Sequence, residues 1–252
     1  MLRELAEYPN SFGPLGPDDE RIETERYTLC MGNRARWNTV QRQRFEADEV
    51  DGVLEEVRAH LRARGAKRTQ WEIGSQARPS NLVELLRDRG LVPDREPYAT
   101  AMVLRSEPEP PPADVTARPV ETYDEYRAAS EVQHIAFAMA EPFDETGLRE
   151  RWKRSPNVTF AAWVDGRIVG AATGAPTAHG MILYGGATHP DARGRGAYRA
   201  LVHARWVDAV ARGTPVLVTQ AGHMSEPILA RLGFEAVGWN HVLVDEFDRP
   251  AP

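Results

Sequence analysis

Apolar positions along the 252-residue chain recur with two periods that alternate. In "DEVDGVLEEVRAHLRARG", Val50, Val53, Leu54, Val57 and Leu61 fall at helical spacing, and Gly65 supplies the stop. An amphipathic helix is predicted there. A strand "KRTQWEIGS", a short helix "NLVELLRDRG" closing at Gly90 and a strand "YATAMVLR" follow. Further along, "YRALVHARWVDAVARG" puts Tyr198, Val202, Trp206, Ala209 and Val210 on one predicted face and stops at Gly213. It leads into the strand "PVLVTQA", the helix "EPILARLG" ending at Gly233, and the strand "WNHVLVDEF". Helix, strand, helix, glycine, strand thus occurs twice in one order, which reads as two copies of a unit. Chance recurrence is the other account, because helix–strand alternation is common in α/β proteins.

Each helix is preceded by β-rich sequence. "VTFAAWVDGRIVGAATGAPTAHGMILYGGATHP" predicts three strands, joined by a tight turn at Asp165-Gly166 and another near His179-Gly180. "RYTLCMGNRARWNTVQRQRF" predicts a similar hairpin around Gly32-Asn33. Between the copies lies "RSEPEPPPADV", whose consecutive prolines cannot join a helix or a central strand. The expected organisation is therefore a first domain over 1–105, a proline-rich linker over 106–113 and a second domain over 114–252. The expected fold class is α/β, with a mixed sheet in each copy. The copies differ just ahead of their long helices: the second carries Arg-Gly-Arg-Gly, whereas the first carries "RQRFEADEV", acidic and without glycine.

Composition narrows the function classes. An apolar fraction of 42% and a charged fraction of 27% are those of an ordinary globular chain. No apolar run approaches the ~20 residues that span a bilayer, and the N-terminal residues lack the layout of a signal peptide, so no membrane partner and a cytoplasmic location are expected. A net charge of −6 argues against nucleic acid as a partner. Cys30 is the single cysteine and the seven histidines show no ligand spacing, so neither a disulfide nor a metal site is expected.

The glycine loop is the candidate chemistry. A helix start exposes unpaired N–H groups and a partial positive charge, and glycines before it permit positive φ and close approach of a ligand. Strand, glycine loop, helix is an arrangement suited to phosphate oxygens. A Walker loop needs Gly-Lys-Ser/Thr, which is absent, and a dinucleotide fingerprint would need glycine where Arg199 stands. "ATHPDARGRGAYRALV", with "RLGF" at 231–234, resembles the GNAT superfamily of acyl-CoA N-acyltransferases. A fainter likeness, carried by "LLRDRGL" at 85–91, extends to the first copy and makes the chain similar to a tandem GNAT with a degenerate N-terminal copy.

The resemblance implies acetyl-CoA as acyl donor and a small-molecule amine as acceptor. The N–H groups of Arg193, Gly194, Arg195, Gly196 and Ala197 would hold the donor's pyrophosphate. The backbone around Gly186, Ala187 and Thr188 would pair with its pantetheine arm like an added strand, and Gly185-Gly186 suits a distorted strand. Tyr198 departs from the small residue many members carry; core packing is its simplest role and cofactor contact the alternative. The family's usual proton-donor tyrosine falls at Leu229 here. His223, Ser225 and Glu141 are the remaining acid–base candidates, against plainer roles as a loop histidine, a helix cap and a solvated carboxylate. The missing tyrosine keeps a non-catalytic acyl-CoA sensor or scaffold open as the alternative function, and a homodimer is among the open assemblies.

Overall fold

The computed structural model describes residues 1–32 and 38–247. The elements in chain order are α1 (Leu2–Glu7), β1 (Glu20–Glu23), β2 (Thr28–Met31), β3 (Thr39–Gln41), α2 (Val50–Ala63), β4 (Arg68–Gly74), α3 (Leu82–Arg87), β5 (Val92–Leu104) and β6 (Val115–Pro119). Then come α4 (Tyr123–Ala136), α5 (Leu148–Arg154), β7 (Val158–Val164), β8 (Arg167–Thr177), β9 (Gly180–Thr188), α6 (Ala197–Ala211), β10 (Leu217–Ala221), α7 (Glu226–Arg231) and β11 (Glu235–Glu246). They form two compact units. The first comprises Arg3–Met102, Gln220–Pro227 and the described residues from Ala236 onward; the second comprises Met1–Leu2, Val103–Thr219 and Ile228–Glu235.

In the first unit the strand order is β1-β2-β3-β4-β11-β5. β1, β2 and β3 form an antiparallel meander, β3 and β4 run parallel with Thr39↔Gln70 and Val40↔Trp71 in register, and β11 is antiparallel to β4 from Asn240↔Gly74 to Glu246↔Arg68. The expected stripe of α2, Val50, Val53, Leu54, Val57 and Leu61, is wholly buried against Tyr27, Leu29, Val40, Trp71 and Leu243. Each such side chain contributes about 1.5–3 kcal/mol of burial, which is why α2 holds its face here. Arg58 of α2 grips β11 with a bidentate pair to the buried Asp245, at 2.9 and 2.8 Å. The Gly32-Asn33 hairpin falls partly outside the described residues; β2 and β3, which flank it, are antiparallel.

In the second unit the order is β10-β9-β8-β7-β6, antiparallel from β6 to β9, with β10 parallel to β9. Asp165 and Gly166 have φ of 51° and 74°, the two successive positive values of a tight hairpin turn, as expected between β7 and β8. Neighbouring residues of one strand face opposite ways. Ala161 and Ala171 pack with Ala129 and Val132 of α4. Ala162 and Gly170 face α6, where a Cβ on Gly170 would lie 3.1 Å from Leu201 Cδ1. The sheet is therefore covered by α4 on one side and by α6 on the other.

The face of α6 is not quite the expected one. Val202, Trp206 and Ala209 are buried, yet Val210 is 49% exposed. Ala197, Ala200, Leu201 and Arg205 complete the buried arc. A buried arginine shifts that arc, and a pattern read from apolar residues alone misses it.

Candidate functional site

The site is built where β9 gives way to α6. Along β9 the register with β8 slips: Thr173↔Tyr184 is followed by Ala171↔Ala187, so Gly185 and Gly186 both face Ala172. This is a β-bulge, and it turns the strand where two glycines allow it. The side-chain amide of Gln133, on α4, donates to the Gly185 carbonyl at 2.7 Å and fixes the bulge from above. On its other edge β9 pairs with β10 at Leu217↔Met181 and Val218↔Ile182, whereas β9 itself runs on to Thr188. The Thr188 hydroxyl is buried and has no hydrogen-bond partner among the described residues.

After Thr188 the chain enters a single 3-10 turn over Pro190–Ala192. Its amides are spent locally: Asp191 N–H donates to His189 Nδ1 at 3.3 Å, Ala192 N–H to His189 O at 2.9 Å and Arg193 N–H to Pro190 O at 3.3 Å. From there the donors are free. Gly194 and Gly196 take φ of 80° and 86°, a region side chains rarely adopt, and Gly196 caps α6 without any side-chain hydrogen bond. The first helical bond is Ala200 N–H to Gly196 O at 3.0 Å. Among the described residues, no acceptor meets the N–H groups of Gly194, Arg195, Gly196, Ala197, Tyr198 or Arg199. Arg193 is exposed and has no ion pair among them. Arg195 pairs with Asp165 of the hairpin turn at 2.8 Å, which holds the Asp165 carboxyl below its usual range.

A free run of N–H groups, the positive end of a 15-residue helix and an unpaired guanidinium suit an anion with several oxygens, such as a diphosphate. The corresponding start in the first copy does not. There Glu46 and Glu49 form a capping box, in which each side chain accepts from the other's backbone N–H, and Asp48 and Asp51 add further negative charge. The acidic "EADEV" thus caps the 3-10 turn Ala47–Glu49 that leads into α2 and surrounds that start with carboxylates.

Tyr198 packs on the bulge: a Cβ on Gly186 would lie 2.9 Å from the ring and 3.5 Å from the phenol oxygen. Burial raises its phenol pKa, so the ring stays neutral. Behind it on the same helix, Arg205 is 1% exposed. Its Nε donates to Leu201 O at 2.9 Å and its Nη1 to Thr173 O at 3.5 Å, while Nη2 is buried without a partner among the described residues. Burial pushes the guanidinium down to about 10, still charged at neutral pH. The sequence signal for it is an arginine seven positions after Tyr198 within an apolar helix.

Of the acid–base candidates, Glu141 is exposed and lies between α4 and α5 in the second unit. His223 and Ser225 belong to the first unit. His223 is exposed, and the Ser225 hydroxyl donates to Gly222 O at 3.1 Å, closing the turn before α7. Leu229 is buried, 2% exposed. Among the described residues no cluster of three or more His, Cys, Asp or Glu side chains could hold a metal, and no helix is long and apolar enough to cross a membrane.

Residues 120–234 match the model of the acetyltransferase (GNAT) family. No curated protein matches the chain significantly. Among solved structures, a GCN5-related N-acetyltransferase from Kribbella flavida superposes with a TM-score of 0.70 at 19% identity, covering 97% of this chain and 95% of that one. One from Sphaerobacter thermophilus gives a TM-score of 0.63 at 18% identity, over 92% and 84% of the two chains. A tandem GNAT protein from the clavulanic acid biosynthesis pathway gives 0.62 at 16% identity, over 98% and 89%. At these identities the likeness is one of fold, and the fold is that of a tandem GNAT protein.

Proposed function

We propose, from the premise that residues 120–234 form a domain of the GNAT acetyltransferase family, that the protein is an acetyl-CoA-dependent N-acetyltransferase acting on a small amine. One observation carries the reading: the N–H groups from Gly194 to Arg199 lack acceptors among the described residues, beside a strand whose bulge turns its backbone at Gly185 and Gly186. Gly194, Arg195, Gly196, Ala197 and Tyr198 would hold the donor's diphosphate; the N–H of Arg193, expected in that cradle, is spent on Pro190 O at 3.3 Å, which leaves Arg193 its guanidinium at the rim. The main chain of Gly186, Ala187 and Thr188 would pair with its amide-bearing arm. The donor site lies in the second copy, 114–252, and the first copy, 1–105, is a degenerate partner; the acidic, capped turn ahead of α2 supports that division.

The bound donor supplies an activated acetyl thioester. The chain's own part is to align the acceptor nitrogen with that carbonyl, polarise it with a backbone N–H near the bulge, and move two protons. Attack of the neutral amine forms the carbon–nitrogen bond as the carbon–sulfur bond breaks; the nitrogen loses a proton and the sulfur gains one. Glu141, His223 and Ser225 are the candidates for those transfers. A second reading, a non-catalytic acyl-CoA sensor or scaffold, is favoured by Leu229: an aliphatic side chain occupies the position of the family's usual phenol, and it is buried.

Calorimetry with acetyl-CoA tests the donor site, and saturable binding is expected. Absence of binding at millimolar ligand removes both readings. With binding in hand, acetyl transfer to any member of a broad amine panel selects the enzyme, and binding without transfer selects the sensor.

A further inference from the structure

The proline-rich segment between the copies does more than connect them. It runs beside α6 in the opposite direction, making one contact after another as it goes. Glu107 Oε1 faces His203 Nε2 at 3.5 Å, and Glu109 Oε2 faces Arg199 Nη1 at 3.2 Å. Pro112 covers Gly196, where an added Cβ would meet its Cγ and Cδ at 2.7 Å. Asp114 Oδ2 faces Arg195 Nη2 at 3.5 Å. Pro108 is buried and anchors the segment, and Val115 N–H donates to Pro112 O at 3.0 Å as β6 begins. Prolines keep such a segment extended without a sheet partner.

Three carboxylates are thereby set against the guanidiniums of Arg195 and Arg199 beside the glycine loop and the imidazole of His203 further along α6. Each carboxylate is well exposed, with 68%, 83% and 65% of the side-chain surface open for Glu107, Glu109 and Asp114. Exposed pairs of this kind contribute little to stability. They are therefore easily exchanged for a partner with more charge and better donors to accept from, such as a diphosphate.

We propose that residues 107–114 form an autoinhibitory strap, which occupies the cationic rim of the glycine loop with its own carboxylates and so sets the affinity for the anionic acyl donor. The inference rests on the acyl-donor reading and adds a regulator to that site. The strap and the donor compete for Arg195 and Arg199, with Glu107 on His203 holding the far end of the strap, and the backbone donors from Gly194 onward answer only to the donor. Any partner or condition that lifts the strap raises donor affinity.

The test compares acetyl-CoA binding by calorimetry, at low and high ionic strength, in three full-length proteins. These are the wild type, the strap variant Glu107→Gln/Glu109→Gln/Asp114→Asn, and a charge-matched control, Glu121→Gln/Glu131→Gln/Glu150→Gln, whose carboxylates make surface pairs elsewhere in the same unit. Thermal melts establish that all three are folded. The strap variant is expected to bind about tenfold more tightly than wild type at low salt, with the gain shrinking as salt screens the rim, and the control is expected to match wild type. If wild type binds and the strap variant gains nothing, or the control gains as much, the strap is overturned while the donor site stands. If none of the three binds, the donor site is overturned and the strap with it.

Discussion

Gly194 and Gly196 share a backbone conformation but not a neighbourhood, and alanine at each separates the two contributions. At Gly194, with φ of 80°, a Cβ would meet nothing within 4 Å. Gly194→Ala therefore costs only the left-handed strain of a residue with a Cβ, about 1–2 kcal/mol. At Gly196, with φ of 86°, the same strain applies and the Cβ would also stand 2.7 Å from two carbons of Pro112, whereas ordinary contact begins near 3.4 Å. Relieving that overlap moves the strap or the loop, an overpacking cost of about 1–3 kcal/mol. For a chain of this size each kcal/mol lowers Tm by about 2–4 °C, so Gly196→Ala melts several degrees below Gly194→Ala. Binding amplifies the difference. Where the loop yields, losing one charge-assisted hydrogen bond to a diphosphate forfeits about 1.5–3 kcal/mol, a ten- to hundredfold weaker Kd; where Pro112 yields instead, the strap is lifted and Kd tightens. Gly194→Ala stays within about tenfold of wild type. Calorimetry with acetyl-CoA and thermal melting report the two quantities. A Gly196→Ala protein that melts with Gly194→Ala and binds like wild type would refute the reasoning.

Three further outcomes follow from the geometry. Cys30 is buried and its thiol is pushed up to about 11 by burial, so Ellman's reagent should modify it slowly in the native protein and at once after denaturation. Asp245→Ala leaves Arg58 without its bidentate partner; because Arg58 keeps about a fifth of its side chain in water, the loss is set at about 3 kcal/mol, the low end for a broken buried pair, and is read from the urea midpoint. Glu125 accepts two bonds from Arg118, at 3.0 and 2.6 Å, which hold its carboxyl down to about 2 against an ordinary 4.5. A depressed carboxyl stabilises above its unfolded value and loses that contribution on acidification, so the stability gap between wild type and Glu125→Gln should be constant above pH 4.5 and close as pH falls through about 2.

Much of this was legible from local pattern, because local pattern is where it is encoded. The α2 stripe, the Asp165-Gly166 turn and the glycines before α6 each involve neighbours within a few residues. What escaped depends on partners distant in sequence. Nothing in "WNHVLVDEF" specifies that β11 will lie against β4, since a strand pattern encodes faces and not neighbours. The bulge at Gly185-Gly186 was suggested by its glycines, but its anchor, Gln133, is a polar residue on a helix with no local mark of that role. Arg205 escaped for the opposite reason: a charged residue inside a helix reads as a solvent-facing position, and here it sits beneath the sheet-facing side of α6 with one nitrogen unpartnered among the described residues. The linker's prolines mark a spacer; its acidic residues carry the rest, and their partners lie roughly ninety residues on, in the glycine loop and α6.

The two long helices make the physical distinction on which the functional reading turns. Both begin after a strand, and by dipole alone both starts would favour an anion. Ahead of α2 the favour is partly granted within the chain: Glu46 and Glu49 each accept the other's N–H around the 3-10 turn Ala47–Glu49 that leads into the helix, and Asp48 and Asp51 oppose any incoming phosphate. At α6 no side chain caps the helix, and two left-handed glycines hold the amides without an acceptor among the described residues. A glycine at the helix start forgoes only about a few tenths of a kcal/mol against serine or aspartate, and at position 196 neither could restore it, because any Cβ there would be strained and would meet Pro112. A chain that crowds the approach to one helix with its own carboxylates and leaves the other bare, then sets a removable acidic strap beside the bare one, has the layout of an anion site whose occupancy is controlled.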